Sequence, residues 1–313
     1  MVKLFLVIPC YNEEKALPLS APVIKEKVES LIKKGEISQN SRIVFVDDGS
    51  KDGTGQIIRT LNKENKLFSG IFLSKNRGHQ NALLAGLHYA SDKCDAAVSL
   101  DCDLQDDINA IDEMLKKYND GCDIVYGVRN NRKKDSFFKK ITAKGFYKTV
   151  NKLGGGLIED HADYRLMSKK ALCALKEFKE VNLFLRGIVP MLGFKSDIVY
   201  YKRSKRVAGK SKYPLRKMLS FATEGITSLS TRPLNIIIGI GTLITFVSFL
   251  MLVYSFVQYF SGHTVSGWTS TFVSIWCLGG LQLIAIGVIG KYIGKIYLET
   301  KHRPPYIIDE IIE

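Results

Sequence analysis

The chain has 313 residues, 46% of them hydrophobic, with 45 Lys and Arg against 31 Asp and Glu and a net charge of +14. That length bounds it at one large or two modest domains, and that apolar content excludes disorder as its general state. The charge is local: residues 129–152 and 195–217 each carry nine bases and one acid, +8 apiece, which leaves the remainder slightly acidic.

In chain order, short apolar runs at residues 3–8, 42–46, 70–73, 96–100 and 123–128 predict strands. Between them, residues 16–34, 55–64, 79–91 and 108–118 predict helices by their apolar spacing. The alternation predicts an α/β fold, a mostly parallel sheet with helices on its faces. The first four strands run into polar loops, PCYNEE, DDGSKDGT, SKNRGHQN and DCDLQDD. Ligands of open α/β sheets bind at the carboxyl ends of strands, so four such loops on one edge predict one site.

After residue 128 the character changes. Residues 137–153 space Phe138, Ile141, Phe146, Val150 and Leu153 among lysines, and residues 215–229 space Leu215, Met218, Leu219, Ala222, Ile226 and Leu229 likewise. Both patterns predict basic amphipathic helices. Such a helix lies in a membrane interface or packs its apolar face on a soluble core, and the second one favours the interface because it runs straight into an apolar segment. Residues 233–290 are 58 positions without one Asp, Glu, Lys or Arg. A bilayer span takes about 20 apolar residues, so this stretch predicts two transmembrane helices, 234–259 and 271–293, joined by SGHTVSGWTS. Flanking bases, Arg216, Lys217 and Arg232 before and Lys291, Lys295, Lys301 and Arg303 after, predict that both ends are cytoplasmic. The expected organisation is a cytoplasmic domain over 1–213, an interface helix over 214–232, a membrane hairpin over 233–298 and a cytoplasmic tail over 299–313. VKLFLVIPCYNEE turns polar after one strand's length, so no signal peptide is expected. The six cysteines (Cys10, Cys94, Cys102, Cys122, Cys173 and Cys277) show neither paired CxxC nor Cys/His spacing, which argues against zinc and a disulfide framework and predicts reduced thiols.

Asp101 and Asp103 follow the apolar run AAVSL, and in an extended segment residues i and i+2 face the same way. Two carboxylates can then reach one hard divalent ion, and with Gln105 nearby the group suits a metal bound to a diphosphate.

Taken together, VIPCYNEE, VDDGSKDGT, NRGHQNALLAGL, DCDLQDD, ADYRLMSKKAL and RVAGKSKYPLRKM, in that order, resemble family 2 glycosyltransferases of the GT-A fold. Within these the resemblance is to the polyprenyl-phosphate branch, bactoprenol glucosyltransferases and dolichol-phosphate mannose synthases; two C-terminal spans match the bactoprenol type. The resemblance implies that Pro9, Tyr11, Asn12 and Glu13 line the nucleotide pocket with Asp101 and Cys102, and that Asp47 or Asp48 recognises the base. A carboxylate can accept the imide N–H of uracil, and Tyr11 can cover an aromatic face. Gly78 and His79 would sit beside the same pocket. Asp101, Asp103 and Gln105 then correspond to the site of a Mg²⁺ or Mn²⁺ ion that neutralises the leaving diphosphate. Asp163 falls where the family places its acidic catalytic residue, with Asp160 as fallback, and Asp103 and Arg206 complete the catalytic set. Arg129, Arg165, Arg206 and Lys212 correspond to the lipid-phosphate contacts, a role to which the planar arginine fork is suited. The other lysines of the two basic stretches read as contacts to anionic membrane lipids.

The implied reaction is inverting, a single in-line transfer of glucose from UDP-glucose to polyprenyl (undecaprenyl) phosphate at the cytoplasmic membrane face. Other donors sharing this chemistry are UDP-GlcNAc, UDP-GalNAc and GDP-mannose. A homo-oligomer, with a tetramer among the options, and a flippase acting downstream are implied by the family and not by any residue here. The absence of QxxRW and the two spans argue against a processive polysaccharide synthase. A nucleic-acid partner is disfavoured, since no recognised binding module is visible and the bases border the membrane-active segments. A non-catalytic, membrane-anchored sugar-nucleotide binder would share the pocket but would not require Asp101, Asp103, Asp163 and the phosphate-binding loop together.

Overall fold

LFLVIPC opens the sheet as β1 (Leu4–Cys10), and all seven of its residues are buried. A parallel strand covered on both faces reads as a continuous apolar run rather than an alternating one, which is what this segment shows. The computed structural model describes residues 1–130, 161–180, 184–204, 232–261 and 267–313. In chain order follow α1 (Leu17–Lys33), β2 (Arg42–Asp47), α2 (Thr54–Glu64), β3 (Phe68–Leu73), α3 (His79–Ser91), β4 (Ala96–Ser99), α4 (Ala110–Asn119), β5 (Ile124–Arg129), β6 (His161–Ser168), α5 (Lys169–Lys176), α6 (Leu185–Met191), β7 (Ser196–Tyr201), α7 (Arg232–Phe260), α8 (Trp268–Thr300) and β8 (Ile308–Ile312).

The eight strands form one sheet in the order β7-β5-β6-β4-β1-β2-β3-β8. β1 pairs in parallel with β2 (Phe5 opposite Arg42 through Cys10 opposite Asp47) and with β4, β2 with β3, and β5 with β7. β6 runs antiparallel between β4 and β5. The mostly parallel α/β sheet expected from the alternation is therefore present, with β6 as an antiparallel insert and β8 as an antiparallel edge. Side chains alternate between two cores. Leu4, Leu6 and Ile8 pack with α1 and α4, whereas Phe5 and Val7 pack with α3, α5 and α6.

Gly86 lets α3 lie directly on the sheet: a Cβ there would stand 2.3 Å from Val7 Cγ1 and 2.8 Å from Val46 Cγ2. Gly86→Val is therefore expected to cost about 3 kcal/mol by overpacking, measured by denaturation of the detergent-solubilised protein. An unchanged midpoint would contradict the seating of α3 on β1 and β2.

The four predicted helices and five predicted strands are all present, with ends moved by up to two residues; β1 reaches Cys10 and β3 starts at Phe68. Three strands were not predicted: β6, β7 and β8. β8 brings the end of the expected tail, 299–313, into the sheet. It pairs with the outer edge of β3, from Gly70 opposite Ile312 to Leu73 opposite Ile308, with a register shift between Phe72 and Leu73. The shift matters because Ile308 and Ile312 have the same parity and would otherwise face one way. With it, Ile312 packs on one core and Ile308 on the other. Arg59–Glu310 and Lys93–Glu313 ion pairs and a 2.8 Å bond between Tyr306 and His88 fasten the strand and its approach. Burial and the positive charge of Lys176 hold the His88 imidazole down at about 4, so it stays neutral there.

The expected spans 234–259 and 271–293 fall inside α7 and α8. Among the described residues, Leu278–Thr300 is long and apolar enough to cross a membrane, and Leu234–Ile244 is a shorter apolar helical stretch. Their apolar side chains face outward; Leu283 is 72% exposed and Ile238 65%. The amphipathic segments 137–153 and 215–229 lie outside the described residues.

Candidate functional site

The loops after β1 and β2 are built as one piece. Asn12 adopts the left-handed conformation (φ 53°), which brings its backbone N–H to Ser50 Oγ at 2.9 Å, while its Oδ1 accepts from Lys51 N–H at 3.0 Å. Glu13 N–H donates to Thr54 Oγ1 at 2.9 Å, and Gly53 N–H to Glu14 Oε2 at 3.1 Å. Asn tolerates positive φ better than most residues. Gly49, at φ 62°, has no such alternative: a Cβ would stand 2.7 Å from the backbone of Lys75 and Asn76.

That close approach carries the third loop. Asp48, buried, accepts Arg77 N–H at 2.6 Å and Gly78 N–H at 2.9 Å, so its carboxylate shapes the turn that starts α3. Burial raises its pKa and the two amide bonds pull it back only in part. Both of its oxygens are engaged by backbone. Asp47 sits beside it at the end of β2, its Oδ1 accepting from Ser50 N–H at 3.1 Å. Tyr11 is 42% exposed at the mouth of these loops, whereas Pro9 is buried within β1.

At the end of β4 the chain enters a turn over Cys102 and Asp103, not the extended segment expected from the sequence, and Leu104 follows at φ 50°. Cys102 is buried with its Sγ 3.5 Å from Ser20 Oγ of α1. It belongs to the core, which corrects its expected place in the nucleotide pocket. Asp101 and Asp103 are each half-buried. Withdrawal from water, together with the charges of Asp106, Asp163 and Asp103 and against the pull of His79, pushes Asp101 up to about 6. Gln105 turns its amide oxygen toward Arg203, its carbonyl accepts Ser204 N–H at 2.9 Å, and its own N–H donates to Asp103 Oδ1 at 3.1 Å.

Among the described residues no three His, Cys, Asp or Glu side chains form a group able to hold a metal by themselves. Two carboxylates with excess negative charge still fit a hard divalent ion that completes its shell with water and phosphate oxygens. Gln105 would join them only by leaving Arg203.

β6 then runs back past β4 and sets Asp163 opposite Asp101. Asp163 is 8% exposed, and its backbone carbonyl accepts from Ser99 Oγ of β4. Three cations surround its carboxylate. Arg165 Nη2 donates to Oδ1 at 2.8 Å, and Arg186 donates from Nε to Oδ1 at 3.2 Å and from Nη2 to Oδ2 at 3.0 Å. His79 Nε2 stands 3.7 Å from Asp163 Oδ2 and 3.7 Å from Asp101 Oδ1, a bridge between the two acids. Burial alone would raise Asp163, but Arg186, His79 and Arg165 outweigh it and hold the carboxyl well below 3.8. The same two acids raise His79 against its own burial.

Arg165 is the fully buried member, 1% exposed, and its Nη1 donates to Leu185 carbonyl at 3.2 Å. Enclosed in this way it cannot reach a lipid phosphate, which corrects the sequence expectation; it braces Asp163 against α6. Gln80, next to His79, accepts Leu185 N–H at 3.2 Å and ties α6 to α3.

Arg129, at the end of β5, donates to Tyr201 hydroxyl at 3.1 Å and Asp106 Oδ1 at 3.3 Å, and Tyr201 hydroxyl donates to the same oxygen at 2.5 Å. Its side chain is 28% exposed beside the Asp103 loop. Arg206, Lys212 and Asp160 lie outside the described residues. The structure thus gathers Asp101, Asp103, Asp163 and Arg129 at one edge. It adds Arg186, Arg203 and Tyr201, which no motif marked, and Asp106, which lies in DCDLQDD without an expected role, and it raises His79 from a neighbour of the pocket to its centre.

Residues 5–175 match the family model described as glycosyl transferase family 2. The chain is 52% identical to the uncharacterized glycosyltransferase YkoT of Bacillus subtilis, over 98% of this chain and 91% of that one. It is 42% identical to a bactoprenol glucosyl transferase of Shigella phage SfV, over 98% of both chains. Identity is 41% to a prophage bactoprenol glucosyl transferase homolog of Escherichia coli, over 99% of both. Since the matched region carries every loop of the cleft up to Asp163, the protein is a glycosyltransferase and belongs to glycosyl transferase family 2.

Proposed function

We propose that the protein transfers one hexose, glucose from UDP-glucose, to polyprenyl phosphate at the membrane surface, giving a lipid monophosphate sugar and UDP. The observation that carries this reading is the alignment with bactoprenol glucosyl transferases over 98% of both chains, which takes in α7 and α8 as well as the cleft.

The chemistry of the cleft fits. The loops after β1 and β2 form a preorganised cradle for a nucleotide, with Tyr11 exposed on the first of them. The Asp101 and Asp103 carboxylates would hold a Mg²⁺ or Mn²⁺ ion. When bound, that ion supplies positive charge to the departing diphosphate. A phosphate monoester, with a second pKa of about 6, is mostly dianionic at pH 7 and needs no base. One of its oxygens bonds to the anomeric carbon as the bond from that carbon to the diphosphate breaks, the electron pair leaving with UDP. Asp163, ionised and held by arginines, orients this reaction and removes no proton.

The architecture supports a two-span hairpin. β8 belongs to the same sheet as β1, so the chain leaves the catalytic domain before α7 and returns to it after α8. Departure and return on one side require an even number of crossings; if α8 crosses, α7 crosses too. The flanking bases support a domain and chain ends on the cytoplasmic side.

The test is a donor screen with the purified protein in nanodiscs containing undecaprenyl phosphate, read by mass of the lipid product. A lipid-linked hexose should form from UDP-glucose only with lipid and a divalent ion both present, and fall by about 100-fold or more with chelator. Product from UDP-GlcNAc, UDP-GalNAc or GDP-mannose in its place would correct the sugar. No product with any UDP- or GDP-sugar would overturn the reading.

A further inference from the structure

We propose that Arg186 is the residue that receives the phosphate of the acceptor, and that Asp163 is its positioning partner. This rests on the transfer proposed above and names the group that would perform its acceptor side.

Three observations carry it. Asp163 is one carboxylate between two guanidinium groups, Arg165 and Arg186, so an incoming phosphate oxygen would meet a point where two arginines converge. The two arginines differ in access. Arg165 is 1% exposed and braced on Leu185 carbonyl, whereas the Arg186 side chain is 40% exposed. A guanidinium has five N–H groups in a rigid fork, and Arg186 turns its Nε and one Nη2 hydrogen to Asp163. Held by that edge, the group is fixed in orientation while its charge still reaches the cleft.

The third observation is its place in the sheet. The nucleotide cradle belongs to β1 and β2, and the Asp101/Asp103 pair to the end of β4, next in order. Asp163 follows on β6, one strand farther in the same direction, with Arg186 bonded to it. An in-line displacement needs leaving group and nucleophile on opposite sides of the sugar carbon. A donor spread over β1, β2 and β4 leaves the β6 side to the incoming phosphate. There the fork would offset the repulsion between a dianionic acceptor and a donor diphosphate. His79, touching both acids, lies between the two halves.

The phosphate that Arg186 meets could belong to either substrate, and the kinetics separate them. With the protein in nanodiscs, undecaprenyl phosphate and UDP-glucose are varied independently for wild type, Arg186→Gln and Arg186→Lys. Arg186→Gln should raise KM for the lipid about tenfold or more and leave KM for UDP-glucose within about twofold. Arg186→Lys should recover part of the loss, because it keeps the charge without the fork. A rise in the UDP-glucose KM instead, or an unchanged lipid KM, overturns the proposal.

A binding measurement needs no turnover and so separates this proposal from the donor assignment. Geranyl phosphate, but not geraniol, should raise the thermal midpoint of the wild-type protein in detergent and have no effect on Arg186→Gln. A shift retained in Arg186→Gln overturns the proposal even if the donor screen succeeds. A shift lost in Arg186→Gln upholds it even if UDP-glucose proves the wrong donor.

Discussion

Asp163→Asn is expected to lower turnover by about 10³-fold, through misplaced phosphate-binding charge rather than a lost base. The substitution keeps the shape and removes the anion, leaving Arg165 and Arg186 to repel each other across a neutral amide. Arg165 is buried and cannot turn to water, so the folded state should also lose about 3–5 kcal/mol, as when one member of a buried ion pair is removed. Two measurements distinguish this from general-base loss. Because Asp163 is held well below 3.8, turnover of the wild type should show no acid limb from this group at working pH, and the lipid KM should rise as in Arg186→Gln. The double variant Asp163→Asn/Arg186→Gln should be little worse than Asp163→Asn alone, since the two act as one unit. A variant with normal lipid KM, and penalties that add, would mean that Asp163 works independently of Arg186.

The pH dependence of stability follows from the same depression. A carboxyl with a lowered folded pKa contributes stability that is complete above its unfolded value and disappears as pH falls through the folded one. The stability gap between wild type and Asp163→Asn should close below about pH 4, and it should also narrow above about pH 6.5 as His79, which Asp163 helps to raise, loses its proton.

Removing residues 306–313 should be nearly as damaging, although none of them touches the cleft. Ile308 and Ile312 each pack on a different core, and the Tyr306–His88 bond and the Glu310 and Glu313 ion pairs go with them. Loss of two half-buried isoleucines and a strand pairing corresponds to about 3–5 kcal/mol. The thermal midpoint of the catalytic domain should fall by roughly 6–20 °C. The exposed edge of β3, FSGIFL, would also become a template for pairing with other chains, so oligomers should appear on gel filtration in detergent. A midpoint within about 2 °C of wild type would mean that the β8 pairing adds little.

The first half of the fold was legible because its strands are doubly covered and its helices are one-sided, and both leave strong periodic marks. β6 was not, and the reason lies in Asp163 and Arg165. In HADYRLMS the face that carries them is buried but charged, so alternation of apolar and polar residues misreports which side is inside. β8 was hidden by its length of five residues and its acidic pair, which resemble a solvated tail. The acids of the cleft could be read because they sit on short motifs at strand ends. Arg186 could not, since it meets Asp163 across 23 residues of chain with no local pattern to mark the meeting. Cys102 was misplaced because the resemblance carried it into the pocket along with its acidic neighbours, whereas its side chain lies in the core.

The edge strand also sets a schedule. Glu310 follows its partner Arg59 by 251 residues, so at typical synthesis rates β3 waits roughly 13–50 s for β8 to be made. Both apolar helices are made within that interval. The sheet is therefore completed only after α7 and α8 have been made. A chain in which β8 fails to return would keep β3 open, and that unfinished edge is a surface by which chaperones and proteases recognise a stalled molecule.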